Sequence, residues 1–217
     1  MTTPERPVES AERVVDLRIE TTSDSGGETD HLTGLHSRRW LDSALTAEIT
    51  RNPGTFSMLF IDLDGLKAVN DKHGHAAGDQ HIINLAQTLR ATLRYGEARR
   101  PGDPVRPHDD LAEGAVRLGG DEFVVLLRGV TNDTDLTKIK YRIRDSFDKN
   151  GLRASIGGRP HQPGETGSEL LAAADKLMYE DKRLRREQQI RALPAYRKAA
   201  YMAGRSLLKF AGIDTRP

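Results

Sequence analysis

The sequence predicts an α/β protein of the α+β type, with a mostly antiparallel central sheet flanked by helices. Apolar segments on either side of Gly119-Gly120 are typical of two buried strands joined by a tight turn, which forms an antiparallel hairpin. A further apolar run, residues 56–61, has the length of a buried strand. Segments with helical periodicity lie before, between and after these strands. A hairpin at the centre of such a mixture favours the α+β architecture.

The elements of the N-terminal half follow in order along the chain. Apolar residues at helical spacing predict helices over residues 9–18 and 37–51, separated by a linker rich in Gly, Ser and Thr. The apolar face of the second helix comprises Trp40, Leu41, Leu45 and Ile49. After the strand over residues 56–61, a short helix over residues 65–73 ends at Gly74.

The C-terminal half contains the hairpin and most of the helical residues. A long helix over residues 76–94 has a continuous apolar face, and a proline-rich surface loop at residues 99–107 separates it from the hairpin. Four elements follow the hairpin: a helix over residues 133–148, a strand over 152–158, and helices over 168–191 and 196–211.

Carboxylates stand at the end of the first strand. Asp62 and Asp64 follow the apolar run directly, and strand alternation puts both on one face, with Leu63 on the other. A strand that ends in a capping Asp is common. Beside a second acidic segment, however, this strand end offers the oxygen ligands that Mg²⁺ takes from a protein, the remainder coming from water and substrate phosphates.

The hairpin turn supplies that second acidic segment. Gly119 and Gly120 lead directly into Asp121 and Glu122. Glycines reach positive φ without penalty and let a bulky anion approach the backbone. Carboxylates repel a phosphate but bind it through a divalent cation. The turn alone is equally typical of a solvated hairpin, but together with the acidic strand end it favours a metal–nucleotide site.

An amide and a carboxylate flank the junction of the two helices after the strand. Asn70 lies near the end of the first helix and Asp79 near the start of the second. Guanine presents adjacent N–H donors beside an acceptor oxygen, whereas adenine lacks that donor pair. A carboxylate matches these donors. The two residues therefore predict a site that reads guanine.

Several motifs, in order, resemble the GGDEF-domain diguanylate cyclase family. The resemblance covers residues 30–186 and includes the complete Gly-Gly-Asp-Glu-Phe signature at residues 119–123. The other matching segments are residues 30–39, 62–71, 74–79, 155–157 and 174–179, with Lys182. A five-residue motif is weak evidence by itself, but several in family order make chance matching a poor explanation. The resemblance implies a palm-like sheet of the nucleotidyl cyclase type.

The resemblance also implies roles in metal binding, catalysis and substrate binding. The metal ligands are Asp62, the Leu63 carbonyl and Asp121, and the catalytic acids are Asp121 and Glu122, the latter as the base for the attacking hydroxyl. The guanine-binding residues are Asn70, Asp79 and His75. The other substrate-binding residues are Lys67, Lys182 and Arg186 near the triphosphate, Arg117 beside the turn, and Gly119 and Gly120 within it. Lys182 and Arg186 equally fit a solvated basic face of a helix.

The family reaction joins two GTP molecules into cyclic di-GMP and releases two pyrophosphates. The resemblance implies this reaction, with Mg²⁺ as cofactor and Mn²⁺ as the alternative, in a homodimer whose active sites face each other. The need for GTP favours the cytoplasm. The alternative function is a module that has lost catalysis and binds GTP or cyclic di-GMP as a receptor or scaffold. The intact acids favour the enzyme.

Length and composition agree with one globular domain. The chain has 217 residues, 36% of them hydrophobic and 30% charged, with no cysteine and no apolar run of membrane-spanning length. The net charge of +1 argues against a dedicated nucleic-acid binder. Residues 1–30 carry eight acids against three bases, a net charge of −5. We expect an acidic flexible extension (residues 1–29), a catalytic domain (30–191) and a basic amphipathic tail (192–217).

Two features depart from the family. Many members have an Arg-x-x-Asp product-binding site before the signature, but this chain has Asp110 and Glu113 there, which predicts little feedback inhibition. The alternative is that Arg99, Arg100 or Arg106 in the preceding loop takes the place of the missing arginine. Residues 1–29 are too few to bury a core of their own, so we expect an activating signal to arrive through a partner such as an upstream regulatory protein, through the tail, or through the expression level. The predicted tail helix either docks on protein or rests weakly on an anionic membrane surface.

Overall fold

The structure is a computed structural model that describes residues 27–94 and 114–192. Several sequence predictions lie outside these residues: the helix over residues 9–18, the proline-rich loop, the product-site positions 110 and 113, and the tail helix. In the two described segments, no helix combines the length and the apolar character that a membrane span requires.

The elements follow the predicted order, with one addition. The helices are α1 (Arg38–Arg51), α2 (Leu66–His73), α3 (His75–Arg94), α4 (Asp133–Lys149) and α5 (Gly167–Ala192). The strands are β1 (His36–Ser37), β2 (Phe56–Leu63), β3 (Ala115–Gly119), β4 (Glu122–Arg128) and β5 (Ala154–Pro160). All predicted elements that fall within the described residues are confirmed. The additional strand, β1, has two residues and is too short to show a sequence period.

The strands form one sheet in the order β1-β3-β4-β2-β5. β2 lies between β4 and β5 and runs antiparallel to both, and β3 runs antiparallel to β4. The short β1 pairs parallel with β3. The predicted mostly antiparallel sheet is therefore confirmed.

Strand alternation divides the core into two layers, one on each face of the sheet. The β2 residues that belong to the layer formed with α3 and α4 are Leu59, Ile61 and Leu63. Those that belong to the layer formed with α1 and α5 are Phe56, Met58 and Phe60. Asp62 continues the alternation of Phe56, Met58 and Phe60, so its carboxylate lies on the face of the sheet that α5 covers. All eight residues of β2 are buried, and a carboxylate in such a strand needs a partner.

Helix α5 approaches the sheet closely at Gly157 of β5. A Cβ built at Gly157 would lie 1.8 Å from a backbone nitrogen of α5, so only glycine fits there. Further along α5, Asp181 accepts hydrogen bonds from Arg144 at 2.8 and 2.9 Å and from the Ile156 backbone N–H at 3.0 Å. These contacts fix α5 against the sheet and thereby fix the position of Lys182, the next residue.

The last strand differs from the prediction in its bounds. The sequence pattern predicts a strand over residues 152–158, whereas β5 runs from Ala154 to Pro160. Leu152 is buried, but its backbone N–H donates to the Phe147 carbonyl at 2.9 Å, so it closes α4 instead of joining the sheet. Apolar character alone does not distinguish a buried residue in a helix cap from one in a strand.

Candidate metal and nucleotide site

The acidic strand end and the acidic turn lie side by side. Asp62 of β2 pairs with Glu122 of β4 across the sheet. The Leu63 backbone N–H donates to the Asp121 carbonyl at 3.0 Å, which fixes the turn to the end of β2. We call Asp62, Asp64, Asp121 and Glu122 the acid cluster.

The turn between β3 and β4 depends on two glycines. Gly119 has a φ of 146° and Gly120 a φ of 55°, values that residues with side chains rarely adopt. A Cβ at either position would have no heavy atom within 4 Å. The backbone therefore requires glycine at both positions, and the space around the turn is open to a ligand.

Arg117 holds the same turn from one side. Its Nε and Nη2 donate to the Gly120 carbonyl at 3.1 and 2.9 Å, and its Nη1 donates to both carboxylate oxygens of Asp30 at 3.2 Å. Burial alone would raise the pKa of Asp30, but hydrogen bonds from Thr33 and Arg117 hold that pKa below its usual value. Arg117 thus makes its hydrogen bonds to the protein and stabilises the turn that carries the acids.

Lys182 connects α5 to the buried acid. Its Nζ lies 2.7 Å from Asp62 Oδ1. Burial would lower the pKa of Lys182, but the hydrogen bond to Asp62 and the charges of Asp62, Asp64 and Asp121 raise it above its usual value. Lys182 is therefore a protonated cation. The family resemblance predicts this lysine near a triphosphate, whereas in the structure it pairs with Asp62, the aspartate predicted to bind metal.

Repulsion within the acid cluster favours a bound cation. Asp62 is only 8% exposed, and this burial raises its pKa. Lys182 lowers the pKa of Asp62, but the charges of Asp121 and Asp64 raise it again, so the net direction is upward. Asp64 accepts a hydrogen bond from Ser155 Oγ at 2.9 Å and lies close enough to act on Asp62, as strand alternation predicts.

The donor set fits Mg²⁺ that arrives with a nucleotide. Within residues 27–94 and 114–192, no group of three or more His, Cys, Asp and Glu side chains could hold a metal ion. Mg²⁺ bound through one or two carboxylates, with phosphates and water completing its coordination, needs no such group. Asp62 and Asp121, with the Leu63 carbonyl, would supply such a partial set.

Glu122 has charged neighbours that the sequence analysis did not identify. The side chain is exposed, yet partial burial of its carboxyl raises its pKa, and the charges of Asp121, Asp62 and Asp175 raise it further. The charge of Arg38, the first residue of α1, opposes this rise. The sequence does contain one signal for Asp175. This residue precedes Lys182 by seven positions, or about two helical turns, so the two residues share a face of the helix. Arg38 has no comparable signal.

The predicted guanine readers lie where α2 meets α3, a region that we call the α2–α3 corner. Asn70 is half-buried on α2, while His75 and Asp79 are exposed on the first turns of α3. The Gly74 backbone N–H, between the helices, donates to the Asn70 carbonyl at 2.8 Å. The Asn70 side-chain Oδ1 is buried and has no hydrogen-bond partner in the described part of the chain.

The two remaining predicted cations are exposed. Lys67 lies on α2, and Arg186 lies on α5 one turn beyond Lys182. Their contact with a triphosphate stays a prediction. A cavity of about 490 Å³ between α3 and α4 is lined by none of the predicted site residues.

Comparison with known sequences points to one family. The family model described as "Diguanylate cyclase, GGDEF domain" matches residues 28–188. The chain is 37% identical over 164 residues to the bifunctional diguanylate cyclase/cyclic di-GMP phosphodiesterase MucR of Pseudomonas aeruginosa, covering 70% of this chain and 22% of MucR. It is 29% identical over 160 residues to the diguanylate cyclase DgcS of Shewanella oneidensis, covering 70% of this chain and 49% of DgcS. The chain thus spans less than half the length of these curated relatives.

Solved structures agree. The diguanylate cyclase SiaD of Pseudomonas aeruginosa, solved in complex with its activator SiaC, matches with a TM-score of 0.59 and 30% identity, over 71% of this chain and 58% of SiaD. A sensory box/GGDEF family protein of Caulobacter crescentus matches with a TM-score of 0.58 and 29% identity, over 72% and 99% of the two chains. These likenesses confirm the predicted fold class, a palm-like sheet of the nucleotidyl cyclase type flanked by helices.

Proposed function

This chain belongs to the GGDEF-domain family, and from that premise we propose that it is a diguanylate cyclase, with residues 30–191 as the catalytic domain. It condenses two GTP molecules into cyclic di-GMP and releases two pyrophosphates. The observation that carries the proposal is the convergence of Asp62, Asp121, Glu122 and Lys182 beside an open glycine turn. A module that only binds nucleotide has no need of both acidic segments.

The acid cluster accounts for the chemistry. Asp62 and Asp121, with the Leu63 carbonyl, would hold Mg²⁺, with Mn²⁺ as the alternative. When bound, the ion neutralises charge on the triphosphate and lowers the pKa of the attacking hydroxyl. Each 3′-oxygen bonds to the α-phosphorus of the other nucleotide, and the bond from that phosphorus to the pyrophosphate oxygen breaks. Glu122 accepts the proton that the hydroxyl loses.

Cations around the acid cluster act on the leaving group. Lys182, which is paired with Asp62 in the structure, would be released to contact the triphosphate when Asp62 binds a metal ion. Lys67 and Arg186, both exposed, add positive charge to the same phosphates. Gly119 and Gly120 allow the nucleotide to approach the turn, which Arg117 holds in place.

The α2–α3 corner accounts for base choice. Asp79 accepts hydrogen bonds from the guanine N–H donors, Asn70 contributes its amide, and His75 lines the same pocket. Adenine lacks the donor pair that Asp79 reads, so ATP should be a poor substrate. Efficient turnover of ATP would contradict this assignment.

Assembly and control follow from the stoichiometry. One chain supplies one GTP site but the product needs two, so we propose a two-fold homodimer with facing sites. Specific activity should then rise with protein concentration across the range where sedimentation shows dimer formation. The SiaD structure contains an activator protein, which supports control of this chain by a regulatory protein partner. The need for GTP supports a cytoplasmic location.

The direct test is incubation with GTP and Mg²⁺, with products resolved by mass spectrometry. We expect cyclic di-GMP from the wild type and, from Glu122→Gln, a rate of formation lower by about 100-fold or more. Asp148→Asn is the matched control, since Asp148 is an exposed acid on α4, outside the acid cluster. A folded, dimeric wild type that binds GTP but forms no product would favour the receptor alternative. Cyclic di-GMP formation at the wild-type rate by Glu122→Gln would overturn the proposed mechanism.

A further inference from the structure

Gly78, in the first turns of α3, packs directly against the side chain of Asn70. A Cβ built at Gly78 would lie 1.8 Å from Asn70 Oδ1, 2.8 Å from its Cγ and 3.3 Å from its Nδ2. Contacts this short do not occur between real atoms, so any residue with a side chain at this position displaces the Asn70 amide.

The backbone itself does not require glycine at this position. Unlike Gly119 and Gly120, Gly78 is not among the residues with positive φ, and it lies inside a regular helix. Glycine is one of the least favourable residues in a helix interior. The structure shows what the absence of a side chain at Gly78 does instead. It leaves the space that the Asn70 amide occupies.

Packing, rather than hydrogen bonding, holds this amide. Asn70 Oδ1 is buried against α3 and has no hydrogen-bond partner in the described residues. The Asn70 backbone is fixed by the bond from Gly74 to its carbonyl. With Oδ1 directed toward α3, the amide N–H₂ is the group that remains to donate to a ligand.

We propose that Gly78 is a positioning residue for base recognition, which sets where the Asn70 amide lies relative to Asp79. A side chain at position 78 would displace the Asn70 amide from its present position, and so change the geometry of the base site that we assign to Asn70 and Asp79. The inference rests on the proposed function, in which Asn70 and Asp79 bind guanine.

The test is a double-mutant cycle on nucleotide affinity. Gly78→Ala, Asn70→Ala and the double variant are prepared in a Glu122→Gln background, so that binding is measured without turnover. Calorimetry then gives the affinity for GTP and for ATP in the presence of Mg²⁺. Ala76→Ser is the matched control, because Ala76 is exposed on the same helical turn. Thermal unfolding of each variant reports whether the fold is retained.

We expect Gly78→Ala to fold and to bind GTP roughly tenfold more weakly, as for the loss of a hydrogen bond to a ligand, with a smaller preference for GTP over ATP. In the Asn70→Ala background, Gly78→Ala should change GTP affinity by less than about twofold, because the displaced group is gone. The inference would be overturned if Gly78→Ala weakened GTP binding by the same factor with and without the Asn70 side chain. It would also be overturned if Gly78→Ala bound GTP with wild-type affinity.

The inference and the proposed function fail in different ways. If the background protein binds GTP but the wild type forms no cyclic di-GMP, catalysis is wrong while the cycle still decides the role of Gly78. If the background protein does not bind GTP at all, the guanine site is wrong and the role of Gly78 is overturned with it.

Discussion

The acid cluster and the α2–α3 corner are built in opposite ways. The acid cluster joins residues far apart in the chain: Lys182 and Asp62, which form its ion pair, are 120 positions apart. Cross-strand pairing and a buried β2 hold it together. The α2–α3 corner comes from one short stretch, residues 70–79, in which two helices meet at Gly74.

This difference predicts different sensitivities. A rigid sheet fixes the acid cluster, so changing one acid removes chemistry and leaves the geometry in place. The α2–α3 corner depends on how two short helical ends pack, so it can lose base selectivity through a small displacement. Chemistry and base recognition should therefore fail separately, and the first two predictions below test this separation.

The largest effect should come from the acid cluster. Asp121→Asn or Glu122→Gln should reduce cyclic di-GMP formation about 100-fold or more, the range associated with loss of a general base or a metal ligand. The preference for GTP over ATP in binding should remain. Product analysis and nucleotide calorimetry measure the two properties. If a variant lost its preference for GTP over ATP together with its activity, the two regions would not fail separately.

Changes in the α2–α3 corner should have the opposite profile. Asp79→Ala and Asn70→Ala should weaken GTP turnover roughly ten- to 100-fold, because sites that hydrogen-bond a base edge lose discrimination when a partner is removed. Slow turnover of ATP should rise relative to GTP. Competition assays with mixed nucleotides measure the ratio, and an unchanged ratio in Asp79→Ala would contradict the assignment.

Gly120 in the turn can be compared with Gly151, a control glycine that has a similar backbone conformation. Gly120 has a φ of 55° and Gly151, after α4, a φ of 68°, and neither Cβ position has a heavy atom within 4 Å. Replacing either with Ala should cost about 1 kcal/mol in the free energy of unfolding.

Only the change at Gly120 should affect catalysis. Because Gly120 precedes the two acids of the turn, Gly120→Ala should reduce activity roughly tenfold or more beyond any loss of stability. Denaturant unfolding and cyclic di-GMP assays on both variants separate the effects. Equal activities of Gly120→Ala and Gly151→Ala would show that the turn geometry is not critical.

The smallest effect concerns stability and involves Lys182. Lys182→Met leaves Asp62 without its cation, and we expect a loss of about 1 kcal/mol, below the value for fully buried pairs because the lysine is 35% exposed. Arg183→Met is the control, since Arg183 is 63% exposed and lies 4.0 Å from Glu187 at the limit of an ion pair.

Added Mg²⁺, without nucleotide, should reveal the same ion pair. Lys182 and the metal ion compete for the Asp62 carboxylate, so Mg²⁺ should raise the unfolding temperature of Lys182→Met more than that of wild type. Thermal unfolding with and without Mg²⁺ measures the shift. An equal shift in both proteins would mean that Lys182 does not occupy the metal position.

Most elements, and the residues that make up both regions, could be predicted from the sequence. Apolar periodicity predicted the helices and the main strands, because their periods are set by local geometry. The placement of Asp62 and Asp64 on one face needed only strand alternation. The α2–α3 corner was also readable, because Asn70, His75 and Asp79 lie within ten positions of one another.

Tertiary structure decided which distant residues meet. The pairing of Lys182 with Asp62 and the effect of Asp175 on Glu122 depend on how α5 packs across the sheet. The pairing of Arg117 with Asp30 depends on how the segment before β1 lies against β3. Local periodicity carries no information about strand order. Even within the α2–α3 corner, the contact between Gly78 and Asn70 needed coordinates. Steric exclusion depends on distances of a few tenths of an ångström, whereas sequence spacing gives only the face and the turn of a helix on which a residue lies.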